Sequence, residues 1–335
     1  MAAPIVPVDP AHPAPDVVAR AAALIVAGSL VAVPTETVYG LAANALDAGA
    51  VARIYAAKGR PAFNPLIVHL ADVADLPRVA REIPPVALEL AARFWPGPLT
   101  LVLHRQPVIP DIVTAGLDTV GVRIPRSEPT RALIRAVGVP LAAPSANTWT
   151  RTSPTSAAHV AQQLGDKIAL ILDAGPTTVG IESTVLDLTT TPPRLLRPGG
   201  VSREQLEAVL GPVTIPAPVE GDAPRPSPGM VKRHYAPNTT LCRFGTGEHP
   251  AVLAEAEAQA AAGRRVAVLA WSALPADTPG LRRMPDAPAA YARELYGMLH
   301  ALDDDRVEVA FIEDVPRDPA WDAVRDRLTR ASTPT

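Results

Sequence analysis

The chain has 335 residues, enough for two domains that each bury a hydrophobic core. Its hydrophobic content of 48% and charged content of 19% suit a soluble globular protein and exclude a disordered one. A formal net charge of −3 supplies no general attraction to nucleic acid or anionic membrane, and one cysteine, Cys242, excludes an internal disulfide framework and a Cys-cluster zinc site.

The opening MAAPIVPVDPAHPAPD has no basic segment followed by an apolar one, so no secretory signal is expected there. No apolar run is long enough for a membrane span, and the single cysteine fits a reducing compartment. The expected location is cytoplasmic.

In chain order, Asp16 is expected to cap a helix that Gly28 ends, with SLVAVP following as a strand. Asp47 caps a second helix that presents Val51, Ile54 and Tyr55 on one side. LIVHL (66–70) reads as a strand, and a helix through LELAARF stops at the breaker WPGP. TLVLH is the next strand. Pro129 starts a helix that Gly138 closes. Ser153 and Pro154 read as cap and first turn of a helix ending at Gly165. IALILD and STVLDL are strands, and Ser202 with Gln205 forms a capping box for a helix that Gly211 ends. Strands outnumber helices in places, which predicts an α/β fold on a mixed sheet.

The periodicity lapses over 213–240, where PVTIPAPVEGDAPRPSPGMVKRHYAPN reads as a proline-rich linker. The expected organisation is a first domain over 1–212, this linker, and a smaller α/β domain over 241–335. In the last, RVAVLAW and VEVAFIED are strands, while AAYARELYGMLHALDD and PAWDAVRDRLTR are helices.

Chemistry-bearing residues gather where a plain core would not place them. PTETVYG (34–40) brings Thr35, Glu36, Thr37 and Tyr39 to a strand end, a common ligand position in open α/β sheets, although a locally satisfied turn explains hydroxyls equally well. KGRPAFNPLIVH sets Lys58, Arg60 and Asn64 on a stiff loop before His69; two cations there can grip a polyphosphate or simply end a helix. VGVRIP puts Arg123 inside a strand, where a guanidinium is costly without a carboxylate from the protein or a ligand. Thr119 stands at the start of that strand. APSANTWTRTSPTS carries Ser145, Asn147 and Ser153 toward a helix N-terminus, which favours anions. GIESTVLDL adds Glu182, Ser183 and Thr184. LLRPGG places Arg197 beside two glycines that would let backbone approach a ligand. The P-loop and dinucleotide glycine patterns are absent, as are HExxH and the G-x-S-x-G elbow.

In order, the motifs PTETVYGLAANA, KGRPAFNPLIVH, FWPGPLTLVL, VGVRIP, APSAN and GIESTVLDL with LLRPG resemble the YrdC-like domain over residues 15–212. With SPGMVKRHYAP in the linker, the whole chain resembles the long, two-domain form of the threonylcarbamoyl-AMP synthase family. The C-terminal part resembles the family's accessory domain in length, position and βαβ rhythm. The resemblance implies a twisted mixed-sheet YrdC-like domain with a second, smaller Rossmann-like α/β domain. It implies formation of L-threonylcarbamoyl-AMP from L-threonine, bicarbonate and ATP, with release of pyrophosphate.

By that resemblance Thr37, His69, Arg123, the backbone at Ala143, and Ser183 would line the threonine pocket. Arg60, Asn64, Thr119, Ser145, Asn147, Ser153 and Arg197 would hold ATP, with Lys58 among the phosphates and Tyr235 closing over the nucleotide. Mg²⁺ would arrive on the ATP phosphates, since no carboxylate ligand set is evident. No residue is assigned as general acid or base. The product would pass to a separate tRNA threonylcarbamoyl transferase complex. A double-stranded RNA-binding module is the rival reading, but the acidic balance opposes it and no stable nucleic-acid binding is expected. A carbamoyl-adenylate enzyme fed by carbamoyl phosphate is a second rival, and its usual zinc segment cannot form with one cysteine. The linker residues Lys232, Arg233, His234 and Tyr235 suggest a lid that shields the adenylate from water.

Overall fold

A computed structural model of the chain describes residues 2–216, 225–229, 231 and 233–332. It divides into two compact units, one of residues 1–149 and 153–230, the other of residues 150–152 and 231–335. The division thus falls inside the proline-rich stretch.

The strands of the first unit are β1 (Ile5–Pro7), β2 (Val31–Val33), β3 (Gly40–Asn44), β4 (Ile67–His69), β5 (Ala80–Arg81), β6 (Leu99–Arg105), β7 (Thr119–Arg123), β8 (Leu141–Ala142), β9 (Leu170–Asp173), β10 (Thr184–Asp187) and β11 (Arg194–Arg197). Its helices are α1 (Pro15–Val26), α2 (Ala48–Lys58), α3 (Leu76–Val79), α4 (Pro85–Phe94), α5 (Asp111–Thr114), α6 (Glu128–Val137), α7 (Ala157–Leu164) and α8 (Arg203–Leu210). The sheet runs β1-β9-β2-β3-β8-β4-β7-β6-β10-β11, with β5 on β6. Parallel pairs (β1 with β9, β4 with β7, β6 with β10) occur beside antiparallel ones (β2 with β3, β6 with β7), so the sheet is mixed, as the pattern predicts.

Alternation along the strands covers both faces. Val31, Val33, Ala42, Leu170 and Leu172 pack with Ala21 and Ile25 of α1 and Leu133 and Ile134 of α6. Ala32, Leu41, Ala43, Val68 and Ile171 point the other way, into a core with Val51 and Ile54 of α2, Leu90 of α4, Val160 of α7 and Leu206 of α8.

Several expected helix signals act as read. Asp47 accepts from the N–H groups of Gly49 and Ala50, Gly59 ends α2 at φ +62°, and Gly138 ends α6 at φ +76°. Ser202 and Gln205 form the capping box of α8. Two signals are displaced. Asp16 lies in the first turn of α1, because Pro15 takes the first helical position and Ala14 is the cap. The cap of α7 is Ser156, whose side chain accepts from His159 N–H; Ser153 lies before the helix and is used elsewhere.

The second unit holds β12 (Thr240–Phe244), β13 (Val266–Ala270), β14 (Leu281–Arg283) and β15 (Val309–Glu313), with α9 (His249–Ala261), α10 (Pro288–Asp304) and α11 (Asp322–Ala331). Its sheet is parallel throughout, in the order β12-β15-β13-β14. Phe244, Ala256, Val268, Ala270, Val309 and Phe311 form one core. The alternate residues Ala267, Leu269, Ala310 and Ile312 are buried too, so both sheet faces are covered. Among the described residues no helix is long and apolar enough to cross a membrane.

Candidate active site

The first unit buries an unusual number of polar side chains, including Thr35, Glu36, Thr37, Lys58, Arg60, Asn64, His69, Arg123, Asn147, Ser153, Glu182, Ser183 and Arg197. Such burial is costly unless each group has a partner. The partners sort the residues into two neighbouring groups.

The first group surrounds Arg123, the last residue of β7. Its Nη1 donates to Thr37 Oγ1 at 2.9 Å and its Nε to Gly97 O at 3.1 Å. Its Nη2 lies 2.8 Å from Glu36 Oε1, a charge contact that is not aligned as a hydrogen bond. From its strand position this guanidinium needs a carboxylate from the protein or a ligand, and that of threonine is the expected one. The structure supplies a protein partner, Glu36. Glu36 is fixed in turn by the N–H of Arg126, 2.9 Å from Oε2. The fork still has N–H groups on its terminal nitrogens to offer a second carboxylate.

The turn before Thr37 is locally satisfied, since Thr35 Oγ1 donates to Val38 O at 2.6 Å and accepts from the N–H groups of Thr37 and Val38. Both readings of PTETVYG therefore hold at once. Thr35 builds the turn, and Thr37 is turned to Arg123.

His69 closes β4 directly opposite Arg123 in the parallel register. Burial, and then the charge of Arg123, push its pKa down to about 3, so the ring is neutral at physiological pH. Its Nδ1 lies 3.2 Å from Ile67 O. A neutral ring there is assigned its proton on Nδ1, which leaves Nε2 as an acceptor. Ala143 follows β8 and donates its N–H to Ile67 O at 3.0 Å, one strand from His69. Ser183 precedes β10, and its Oγ is 2.8 Å from Thr100 Oγ1 on β6.

The second group lies on the loops around Lys58 and Arg197. The Lys58 ammonium donates to Ser145 O and Asn147 O, both at 2.6 Å, and so pins the SxN loop. Burial and the nearby Arg60 hold its pKa well below that of a free lysine, with Glu182 pulling the other way. Arg60 donates to Asn64 O at 3.2 Å and Pro65 O at 2.7 Å, and its guanidinium stands 5.1 Å over the Trp149 ring. Asn64 is wholly buried, yet neither Oδ1 nor Nδ2 has a hydrogen-bond partner among the described residues. Thr119 is half-buried at the start of β7, opposite His104 of β6 in the antiparallel register. Ser153 Oγ donates to Glu182 Oε1 at 2.6 Å.

Arg197 closes β11. Its Nε and Nη2 donate to Ser183 O at 3.1 and 2.9 Å, and Nη2 also reaches Ser183 Oγ at 3.2 Å. Ser183 thereby joins the two groups. The glycines after Arg197 serve a different purpose from the one expected. A Cβ on Gly199 would stand 2.4 Å from both Glu182 O and Thr184 N, so the close approach is to the protein's own β10 entry rather than to a ligand.

Tyr235 belongs to the second unit. It is buried there at φ +63°, its ring 5.6 Å from that of Tyr296 and 5.0 Å under the Arg327 guanidinium. Lys232 lies outside the described residues.

Sequence reasoning named Glu36 and Glu182 without giving either a task, and it passed over Thr100 and Trp149. Glu36 carried a signal: a lone interior arginine needs a carboxylate, and PTETVYG contains one. Thr100 carried none, because a threonine in a strand is unremarkable. Among the described residues, no group of three or more His, Cys, Asp or Glu is placed to hold a metal ion.

Family models match both parts of the chain. Residues 23–199 match the family described as "Telomere recombination", which covers the Sua5, YciO and YrdC proteins. Residues 201–333 match "Threonylcarbamoyl-AMP synthase, C-terminal domain". The threonylcarbamoyl-AMP synthase of Pyrococcus abyssi is 46% identical over 318 residues, covering 93% of each chain. That of Bacillus subtilis is 44% identical over 326 residues, covering 94% of this chain and 92% of its own. The solved structure of P. abyssi Sua5 complexed with L-threonine superposes with a TM-score of 0.91 at 43% identity, over 98% of this chain and 97% of that one. With both family models matched and such relatives aligned nearly end to end, the chain belongs to the threonylcarbamoyl-AMP synthase family in its two-domain form.

Proposed function

We propose that the two residue groups of the first unit bind L-threonine and ATP side by side and join them through a carbamate. The reaction is L-threonine + bicarbonate + ATP to L-threonylcarbamoyl-AMP + pyrophosphate + water. The observation that carries this assignment is the Arg123 cluster. A buried guanidinium balanced by Glu36, beside a neutral His69, gives a nearly charge-neutral pocket suited to a zwitterion.

Threonine's carboxylate takes the remaining N–H groups of Arg123, and Thr37 and Ser183 offer hydroxyls around it. Nε2 of His69 accepts a hydrogen bond from the substrate amine or hydroxyl. The backbone at Ala143 completes the wall. Bicarbonate gives carbon dioxide and hydroxide; the hydroxide takes a proton from the ammonium and leaves as water, and the neutral amine adds to carbon dioxide, losing its second proton to solvent, to give the carbamate. A carbamate oxygen then attacks the α-phosphorus of ATP, the bond to the bridging oxygen breaks, and pyrophosphate leaves. No side chain is required as general base.

The buried amide of Asn64, without a hydrogen-bond partner among the described residues, supports a donor-and-acceptor match to the adenine edge, and Thr119 is proposed to help hold the nucleotide. Arg60 and Arg197 would stabilise the negative charge that grows on the leaving pyrophosphate. Ser145, Asn147 and Ser153 line the loop that Lys58 holds in place. In this reading Lys58 acts first as that loop's anchor. Magnesium enters with ATP as part of the substrate. The lid expected over 213–240 includes residues 217–224, 230 and 232, which lie outside the described residues. The labile product is handed to a tRNA threonylcarbamoyl transferase complex.

Pyrophosphate release by purified protein given Mg-ATP, bicarbonate and L-threonine tests the assignment. Release must require threonine and fall sharply with L-serine, which lacks the methyl group. A folded protein that releases pyrophosphate equally with and without threonine would sink it.

A further inference from the structure

A hydroxyl carries one proton and can accept two hydrogen bonds, so its partners decide what it has left to offer a ligand. Thr37 and Ser183, two buried hydroxyls of the Arg123 group, are left with opposite capacities. Thr37 Oγ1 accepts from Arg123 Nη1 at 2.9 Å and stands 2.8 Å from Thr35 Oγ1. Thr35 gives its only proton to Val38 O at 2.6 Å, so Thr37 is the donor in that contact. Thr37 keeps a lone pair, and a ligand can only donate to it.

Ser183 Oγ accepts from Arg197 Nη2 at 3.2 Å and stands 2.8 Å from Thr100 Oγ1. Thr100 is wholly buried, and Ser183 Oγ is the one hydrogen-bond partner of its hydroxyl among the described residues. If Ser183 donated to Thr100, the Thr100 proton would be buried without an acceptor, which folded proteins avoid. Thr100 is therefore the donor. Both lone pairs of Ser183 are then engaged, and its proton is left for a ligand. The Arg197 charge at the same oxygen strengthens that O–H as a donor.

The sheet puts Thr100 where this matters. Gly121 and Arg123 are two residues apart on β7 and so share a face. A Cβ on Gly121 would meet Thr100 Cγ2 at 3.3 Å and Ile67 Cγ1 at 3.6 Å, and Ile67 shares a face of β4 with His69. Thr100 thus lays its methyl on the side of the sheet that carries Arg123 and His69, and turns its hydroxyl to Ser183.

We propose that Thr100 is a positioning residue for L-threonine. It acts through Ser183, holding that hydroxyl as a donor to the substrate carboxylate, while Thr37 is held as an acceptor for the amine or the side-chain hydroxyl. The amino acid is oriented by hydroxyl polarity as well as by the charge of Arg123. The inference deepens the threonine reading of the first unit and rests on it.

Calorimetric titration of the full chain with L-threonine, and separately with ATP, tests this in Thr100→Val, Thr100→Ser and Ser183→Ala, with melting curves for each. Thr100→Val keeps the shape of the side chain but leaves Arg197 as the remaining donor to Ser183, whose hydroxyl is then free to turn. It is expected to weaken L-threonine binding about fivefold, the typical contribution of one hydrogen bond, with ATP affinity within about twofold of the parent. Thr100→Ser keeps the hydroxyl and should bind L-threonine within about twofold of the parent, even where its melting temperature falls with the lost methyl. In a Ser183→Ala background Thr100→Val should change threonine affinity by less than about twofold, because its route of action is gone. If the valine variant fails to fold, Thr100→Ala set beside Thr100→Ser isolates the same hydroxyl. Parental threonine affinity in the valine variant would overturn the proposal, as would equal weakening of threonine and ATP, or an undiminished effect without the Ser183 hydroxyl. A folded parent that binds no L-threonine would sink the threonine reading itself, and this proposal with it.

Discussion

Arg123→Ala should separate the architecture of the threonine pocket from its chemistry. The guanidinium and the Glu36 carboxylate have side chains only 5% and 3% exposed, at 2.8 Å. Deleting the arginine leaves the carboxylate buried, with the Arg126 N–H still donating to it at 2.9 Å. Removing one partner of a buried pair costs about 3–5 kcal/mol. In a unit of this size each kcal/mol lowers the melting temperature by roughly 2–4 °C, so the expected drop is about 6–20 °C. The loss of threonine binding in this variant would therefore be hard to read.

The double variant Arg123→Met with Glu36→Gln removes both charges and should recover most of the stability, yet still fail to bind threonine. Melting curves and calorimetric titration with L-threonine decide between the outcomes. A melting temperature within about 2 °C of the parent for Arg123→Ala would refute the buried pair. Threonine binding at parental affinity in the double variant would refute the carboxylate role.

Asn64→Leu removes a buried amide that has no hydrogen-bond partner among the described residues. Its melting temperature should match or exceed the parent's, because an unsatisfied buried polar group costs about 1–3 kcal/mol, while ATP binding measured by titration is lost. Gly199→Ala forces a methyl within 2.4 Å of backbone at Glu182 and Thr184, so it should disturb Ser183 and weaken threonine and ATP binding together. His69 has a folded pKa of about 3 against 6.5 for a free histidine. Between those values the unfolded chain binds more protons, so stability should rise with pH across that window and fall on acidification. His69→Gln should flatten this slope in denaturant melts taken at several pH values, and threonine affinity should show no inflection near pH 6.5.

The parts of the fold legible in the sequence were those fixed by local chemistry. Asp47, Gly138, and Ser202 with Gln205 act within a few residues of where they stand, and the structure uses all of them as helix ends. Ser153 failed as a cap for a tertiary reason. Ser156 is as good a cap by type, and a hydrogen bond to Glu182, distant in sequence, takes Ser153 away. Likewise nothing local marks Gly199 as a packing glycine, since its neighbours at 182–184 precede it by a whole hairpin. Arg123 shows the same limit from the other side. Its need for a carboxylate was plain from the strand, but Glu36 is brought to it only by the sheet.

The same long-range contacts suggest how the site would work. Lys58, Arg60 and Arg197 each hold backbone carbonyls, and Arg123 is fixed by Gly97, Thr37 and Glu36. Cations fastened in this way need not reorganise as charge moves to the leaving pyrophosphate, and such preorganisation is where electrostatic catalysis gains most. Asn64 is the contrasting case, fixed in the interior but with its amide unpaired among the described residues. Recognition of the nucleotide would then fall to a group whose hydrogen bonds only a ligand completes, and acceleration to groups whose positions the protein has already fixed. A fold arranged this way has little need of a mobile catalytic acid or base.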